Sequence, residues 1–173
     1  MVPIATWEIT SNDDPYMSIG LSIYCAGCNR DCPECHSPDL QDSKAGIPMS
    51  PKKVFNIINN RIALIENVCF LGGEWLLYPE DLKEIVDKIY HYTNLKIILY
   101  TGELIENIPR DILRGLDIII DGPYEKELKT EYKVPASSNQ RVFIKIKQDL
   151  YDYSMNSYIH VQIDPSVLLI NRE

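Results

Sequence analysis

A chain of 173 residues that is 45% hydrophobic and 24% charged has the make-up of a globular domain, not of a disordered or fibrous one. Seventeen Lys and Arg against 25 Asp and Glu leave a net charge of −8, which argues against sequence-tolerant nucleic-acid binding, because that rests on neutralising phosphates. No apolar run approaches the ~20 residues of a membrane helix, and no basic-then-apolar leader opens the sequence. The expectation is one soluble, intracellular domain over residues 1–173, cytoplasmic, with neither membrane nor nucleic acid as partner. A core burying roughly 70% of the unfolded surface needs no staples at this size.

In chain order, residues 17–24 predict a strand that ends at a cluster of cysteines. Ser50-Pro51 reads as an N-cap followed by a helix-compatible proline. Val54, Ile57, Ile58, Ile62 and Ile65 then mark one helical face. Residues 67–71 form a short buried strand stopped by Gly72-Gly73. Pro79 opens the next helix, with Leu82, Ile85, Val86, Ile89 and Tyr90 on one stripe. Residues 95–100 predict a strand stopped by Thr101-Gly102, residues 109–114 a short helix, and 116–120 a strand followed by Asp121-Gly122-Pro123. A polar stretch over 129–141 precedes two further strands at 142–146 and 158–163, within a C-terminal extension of about 142–173. The 11 tyrosines are scattered and read as packing residues.

Continuous apolar strands separated by amphipathic helices indicate βαβ units and an α/β fold with a mostly parallel sheet. Right-handed crossovers then bring every strand-to-helix loop to the rim at the strands' carboxyl ends, where α/β proteins bind ligands. The cysteine cluster, Gly72-Gly73-Glu74, Thr101-Gly102-Glu103 and Asp121-Gly122-Pro123 each follow a strand directly, so four candidate loops converge on one edge.

Four of the five cysteines, Cys25, Cys28, Cys32 and Cys35, lie within eleven residues. In an intracellular chain such clustering favours metal over disulfides. The fifth, Cys69, sits in Val68-Cys69-Phe70-Leu71 and reads as a small buried hydrophobe. On spacing, Cys28-x3-Cys32-x2-Cys35 differs from the C-x2-C-x2-C of bacterial ferredoxins. Three cysteines in a short loop suit a cubane held at three corners, with its fourth iron open. Cys25 adds a front C-x2-C that keeps a four-thiolate zinc site as the alternative, although the two pairs stand closer together than zinc ribbons place them.

Cys28-x3-Cys32-x2-Cys35 followed by Gly72-Gly73-Glu74 resembles the radical S-adenosylmethionine superfamily. Within it, Cys32-Pro33-Glu34-Cys35-His36-Ser37-Pro38, Tyr100-Thr101-Gly102, the DIIIDGPY segment of 117–124 and Ser137-Ser138-Asn139-Gln140-Arg141 are similar to the activating enzyme of anaerobic ribonucleoside-triphosphate reductase. The likeness runs over about 22–141. It implies a shortened, open partial (β/α) barrel in which Cys28, Cys32 and Cys35 hold one [4Fe–4S] cluster. It implies S-adenosyl-L-methionine as co-substrate, cleaved to a 5′-deoxyadenosyl radical that installs a glycyl radical on a large reductase subunit, with a flavodoxin- or ferredoxin-type electron donor.

On this reading the cofactor-binding residues are Gly72, Gly73, Glu74, Thr101 and Asp121, with Glu74 accepting from the methionyl ammonium. Turn chemistry for Thr101, capping for Asp121 and a solvated loop for 137–141 are the structural alternatives. His36, beside Cys35, either tunes the cluster or is an exposed loop residue. The chain departs from the family in several places. Asn12-Asp13-Asp14-Pro15-Tyr16 stands where a Gly-Pro-Gly segment is usual, Glu34 replaces an aromatic residue, Trp75 replaces a proline, and Cys25 has no counterpart. Two other function classes remain: a radical enzyme acting on a small, nucleoside-type substrate, and a zinc or electron-carrier module that would need no Gly72-Gly73-Glu74.

Overall fold

The computed structural model describes residues 1–11, 13, 18–131, 134–145 and 158–161. Its elements are β1 (Val2–Thr10), β2 (Gly20–Cys25), β3 (Ile47–Met49), α1 (Pro51–Asn59), β4 (Asn67–Gly72), α2 (Pro79–Tyr92), β5 (Lys96–Tyr100), α3 (Arg110–Leu113), β6 (Ile118–Asp121), β7 (Arg141–Lys145) and β8 (Tyr158–Val161). All eight strands join one sheet in the order β3-β1-β2-β4-β5-β6-β7-β8. The fold is α/β, as expected, and the sheet is open and mixed.

Its centre, β2-β4-β5-β6, is parallel, because β4, β5 and β6 are each reached from the preceding central strand through a connection carrying a helix. The flanks are antiparallel: β1 pairs with β2 and β3, and β7 with β6 and β8. The sequence reading places no element before residue 17 and none between the cysteine cluster and Ser50, so β1 and β3 are additions. Pro3 in β1 faces Pro48 in β3 across the ladder, and prolines mask a strand signal.

Alternation along the central strands divides two environments. Leu21, Ile23, Val68, Phe70, Ile97, Leu99 and Ile119 belong to the main core with the inner faces of the helices. Cys69, Ile98, Ile118 and Ile120 form a second cluster with Val134 and Val142 on the other face. Leu82, Ile85, Val86 and Ile89 of α2 are fully buried, whereas Tyr90 is 47% exposed and lies off the stripe assigned to it. The Ser50 hydroxyl accepts from Lys53 N–H at 3.4 Å and caps α1, which starts at Pro51 as expected. That helix stops at Asn59; Ile62 is exposed, and Ile65 returns to the core through a turn rather than along a helical stripe.

The expected strands at 17–24, 142–146 and 158–163 reach past the described residues at Met17, Ile146, Gln162 and Ile163, as does most of the C-terminal extension. Among the described residues no helix is long and apolar enough to cross a membrane.

Candidate functional site

Three backbone strips build the rim. β2 ends at Cys25, and the chain continues through Ala26 and Gly27. Gly27 N–H donates to Leu40 O at 2.8 Å and Cys28 N–H to Gln41 O at 3.0 Å, so residues 28–39 form a loop pinned at its base. The second strip follows β4. Gly73 N–H donates to Cys25 O and Glu74 N–H to Gly27 O, each at 2.8 Å. Gly72 has φ +101, and a Cβ on it would stand 2.4 Å from Cys25 O; one on Gly73 would stand 2.2 Å from Gly27 O. The two glycines let β4's end lie flush against the stem of the cysteine loop. Beneath them Trp75, fully buried, packs edge-on against Phe70 at 4.7 Å and donates Nε1–H to Leu71 O at 2.8 Å. The residue that replaces the family's proline thus plugs the core under the motif.

Glu74 joins the third strip. It is 2% exposed, and its carboxylate accepts from Leu76 N–H at 3.0 Å and Gly102 N–H at 3.0 Å. It also accepts from the Thr101 hydroxyl, which lies 2.9 and 3.0 Å from its two oxygens. Because Thr101 Oγ1 itself accepts from Glu103 N–H at 3.0 Å, its proton is free to point at Glu74. Burial raises the Glu74 pKa from its usual value, against the lowering pull of these donors and of the Arg30 charge.

A cavity of about 590 Å³ opens along this rim. Cys28, Cys32 and Cys35 line it together with Gly72, Gly73 and Glu74, and Thr101 and Gly102 complete that wall. The structure therefore brings seven of the eight sequence-predicted site residues to one space. The eighth, Asp121, does not line it. Its carboxylate is fully buried and accepts from Ile105 N–H at 2.6 Å and from Arg141, through Nε at 2.9 Å and Nη2 at 2.5 Å.

Asp121 is one rung of a longer clasp. Gln140 Nε2 donates to Gly122 O at 3.1 Å, and Asn139 Nδ2 to Pro123 O at 2.8 Å. Gln140 Oε1 also accepts from Ala136 and Ser137 N–H, and Ser137, fully buried, accepts from Glu125 N–H at 3.3 Å. The polar stretch 137–141 is folded onto 121–125, and Gly122, Tyr124 and Gln140 supply the far wall of the cavity. His36 is exposed, with its ring 5.6 Å from that of Tyr124.

Sequence reasoning gave no site role to Arg30, Asp13, Tyr24 or Tyr100, all of which line the cavity, although Tyr100 belongs to the Tyr100-Thr101-Gly102 motif. Asp13 is held there by Ser22 Oγ at 2.6 Å and Tyr24 Oη at 3.0 Å, and its carbonyl accepts from Tyr100 Oη at 2.6 Å. The period-2 alternation that puts Ser22 and Tyr24 opposite the helices carried that signal. For Arg30 the clue was a lone cation among cysteines in an acidic chain.

None of the five cysteines is in a disulfide. Cys69 is buried, as expected, with Sγ 3.3 Å from Asn67 Oδ1. Cys25 is fully buried within the main core, and burial together with the Glu74 charge raises its thiol pKa. A tetrahedral zinc site takes four donors at about 2.3 Å, whereas Cys25 is buried in the main core and does not line the cavity that the other three share. The three half-buried loop thiols facing the cavity are soft donors that suit an iron–sulfur cluster, with room left beside them for a ligand. Burial raises the Cys28 thiol pKa, while the Arg30 backbone N–H favours its thiolate.

Over residues 19–143 the chain matches the family model described as a 4Fe-4S single cluster domain. The anaerobic ribonucleoside-triphosphate reductase-activating protein of Enterobacteria phage T4 is 28% identical over 127 residues, covering 70% of this chain and 81% of that protein. The 7-carboxy-7-deazaguanine synthase of Methanothermobacter thermautotrophicus is 33% identical over 86 residues, covering 49% of this chain and 34% of that enzyme. The chain belongs to the 4Fe-4S single cluster domain family, and its resemblance is to the radical S-adenosylmethionine activases of anaerobic ribonucleotide reductase.

Proposed function

We propose that this protein is a radical S-adenosylmethionine enzyme that generates a glycyl radical on an anaerobic ribonucleoside-triphosphate reductase. The observation that carries the reading is the meeting of three loop thiols with the Gly72-Gly73-Glu74 and Thr101-Gly102 strips around one cavity. Likeness to the phage T4 activating protein over most of both chains supports the choice of partner.

Cys28, Cys32 and Cys35 would hold a [4Fe–4S] cluster at three of its irons. When bound, the cluster supplies the electron that cleaves S-adenosylmethionine to methionine and a 5′-deoxyadenosyl radical, drawn from a flavodoxin- or ferredoxin-type donor. The chain's own residues do the rest. Glu74 presents a carboxylate edge for the ligand ammonium, and its three protein donors fix its orientation. Gly72 and Gly73 keep that wall low. On this reading the open sheet is a shortened partial (β/α) barrel whose rim admits a glycine-bearing loop. The abstraction requires that glycine within about 3–4 Å of the 5′ carbon.

A single anaerobic mixture tests the reading: cluster-loaded protein, S-adenosylmethionine, reductant and candidate reductase. A doublet radical signal should appear on the reductase, and brief air exposure should cut that polypeptide. Ready formation of 5′-deoxyadenosine with no radical on any reductase favours the second reading, action on a small nucleoside-type substrate. The likeness to the deazaguanine synthase, confined to about a third of that enzyme, speaks for that one.

A further inference from the structure

Arg30 is the lone Lys or Arg among the described residues lining the cavity, facing three thiols and the Glu74 and Asp13 carboxylates. Its side chain crosses from the cysteine loop to the strip after β5 and lies flat on Gly102, where a Cβ would stand 2.3 Å from Nε and 2.5 Å from Cδ. There Nη2 donates to Glu103 Oε1 at 2.7 Å. A guanidinium offers five donors and pairs best with a carboxylate through two parallel bonds. Here the described residues supply one bond, and the buried Nε–H has no acceptor. Glu103 is held independently, by Asn107 Nδ2 at 3.4 Å on its other oxygen. A cation with unspent donors, placed between two of the cluster-loop cysteines and pinned by one replaceable bond, is suited to receive a carboxylate from the cavity.

We propose that Arg30 binds the carboxylate of the amino-acid portion of S-adenosylmethionine, and that Glu103 occupies the guanidinium until the ligand displaces it. The proposal rests on the S-adenosylmethionine reading of the cavity. It gives Gly102 a purpose, since any side chain there would push Arg30 off the wall. It also divides the ligand's two charged groups between opposite partners: ammonium to Glu74, carboxylate to Arg30.

The test is calorimetric titration of cluster-loaded protein, with the cluster kept oxidised so that no cleavage occurs. The probes are S-adenosylmethionine and its decarboxylated analogue, which keeps the sulfonium, amine and nucleoside. Iron content is checked in each variant. Arg30→Gln should weaken S-adenosylmethionine about 10- to 100-fold, the range for one charge-assisted hydrogen bond, and change the analogue less than about 2-fold. Glu103→Gln removes the competitor and should leave S-adenosylmethionine binding equal or tighter. Arg30→Lys, which retains charge without the fork, should fall between. Equal weakening of both probes by Arg30→Gln, no weakening of either, or a loss in Glu103→Gln matching that in Arg30→Gln would make the pair a strut and overturn the proposal. If neither probe binds the wild-type protein, the S-adenosylmethionine reading itself fails first.

Discussion

Replacing Glu74 by Gln separates two duties that the structure gives one carboxylate. Glu74 stitches β4 to β5 through Leu76 N–H on one oxygen and Gly102 N–H on the other, with Thr101 between them. Glutamine keeps the shape but has one acceptor oxygen, so one of the two N–H groups must face an NH2. A buried donor left unpaired costs about 1–3 kcal/mol, and relief from burying a charge offsets part of that. The expected loss in unfolding free energy is about 1–2 kcal/mol near neutral pH, read from urea denaturation. Ligand affinity should fall further, about 10- to 100-fold, because the ammonium loses a charged partner. Thr101→Val is the control. It removes a hydroxyl that Glu74 and Glu103 N–H both use, with a similar effect on stability, yet leaves the carboxylate in place. If the two variants weaken S-adenosylmethionine equally, Glu74 is a strut and does not touch the ligand.

The same pair has a pH signature. Burial raises the folded-state pKa of Glu74 above its ordinary 4.5. The folded protein then keeps that proton to higher pH than the unfolded chain does. The resulting stabilisation is complete below about 4.5 and is lost as pH climbs through the folded value. Glu74→Gln has no such drift, so the gap between wild type and variant should be widest at acid pH and narrow upward. Asp117, raised by burial in the same direction, is present in both proteins and cancels.

Two further outcomes follow from the geometry. After anaerobic reconstitution, Cys28→Ala, Cys32→Ala and Cys35→Ala should each lose the cluster by iron and sulfide analysis, while Cys25→Ala and Cys69→Ala, which are buried in the core clusters and do not line the cavity, should retain it. Arg141→Met strips Asp121 of its only side-chain partner among the described residues in a fully buried setting and should lower unfolding free energy by about 3 kcal/mol, partly regained when Asp121→Asn is added; a loss under about 1 kcal/mol in the single variant would show the carboxylate is compensated otherwise.

What the sequence made legible was whatever depends on periodicity and punctuation. The helix stripe of α2 and the runs that became β4, β5 and β6 are local patterns, and their order dictates a parallel centre with its loops on one rim. The cysteine loop and the glycine motif are short and chemically specific. What stayed hidden depends on partners distant in sequence. Asp121 reads as a ligand residue because it ends a strand at the rim, yet Arg141, twenty positions on, claims it. Arg30 reads as one more loop residue because nothing local shows that Gly102 leaves a groove for it. β1 and β3 escaped notice because Pro3 and Pro48 suppress the strand signal in the pairing that covers the sheet edge.

The rim itself is fixed by groups that a side-chain pattern cannot display. Cys25 to Gly27 and Gly72 to Glu74 are joined through backbone N–H and carbonyl groups, and the Glu74 carboxylate with the Thr101 hydroxyl joins them to Thr101-Gly102. Such bonds survive most substitutions and tolerate none that adds bulk at Gly72 or Gly73. The thiols sit outside this frame, on a loop tied at its base by Gly27 and Cys28. The wall proposed to meet the organic ligand is thus held by short hydrogen bonds to its neighbours, while the thiols proposed to meet the cluster sit on a loop tied to other segments through side chains, Arg30 to Glu103 and Glu34 to Lys126. That division follows the chemistry. A cubane imposes its own geometry on any three thiolates that can reach it, whereas hydrogen-bond recognition of an ammonium and a carboxylate depends on donors and acceptors held in place beforehand. On the proposed function, a looser Glu74 wall would lose the orientation on which hydrogen abstraction depends.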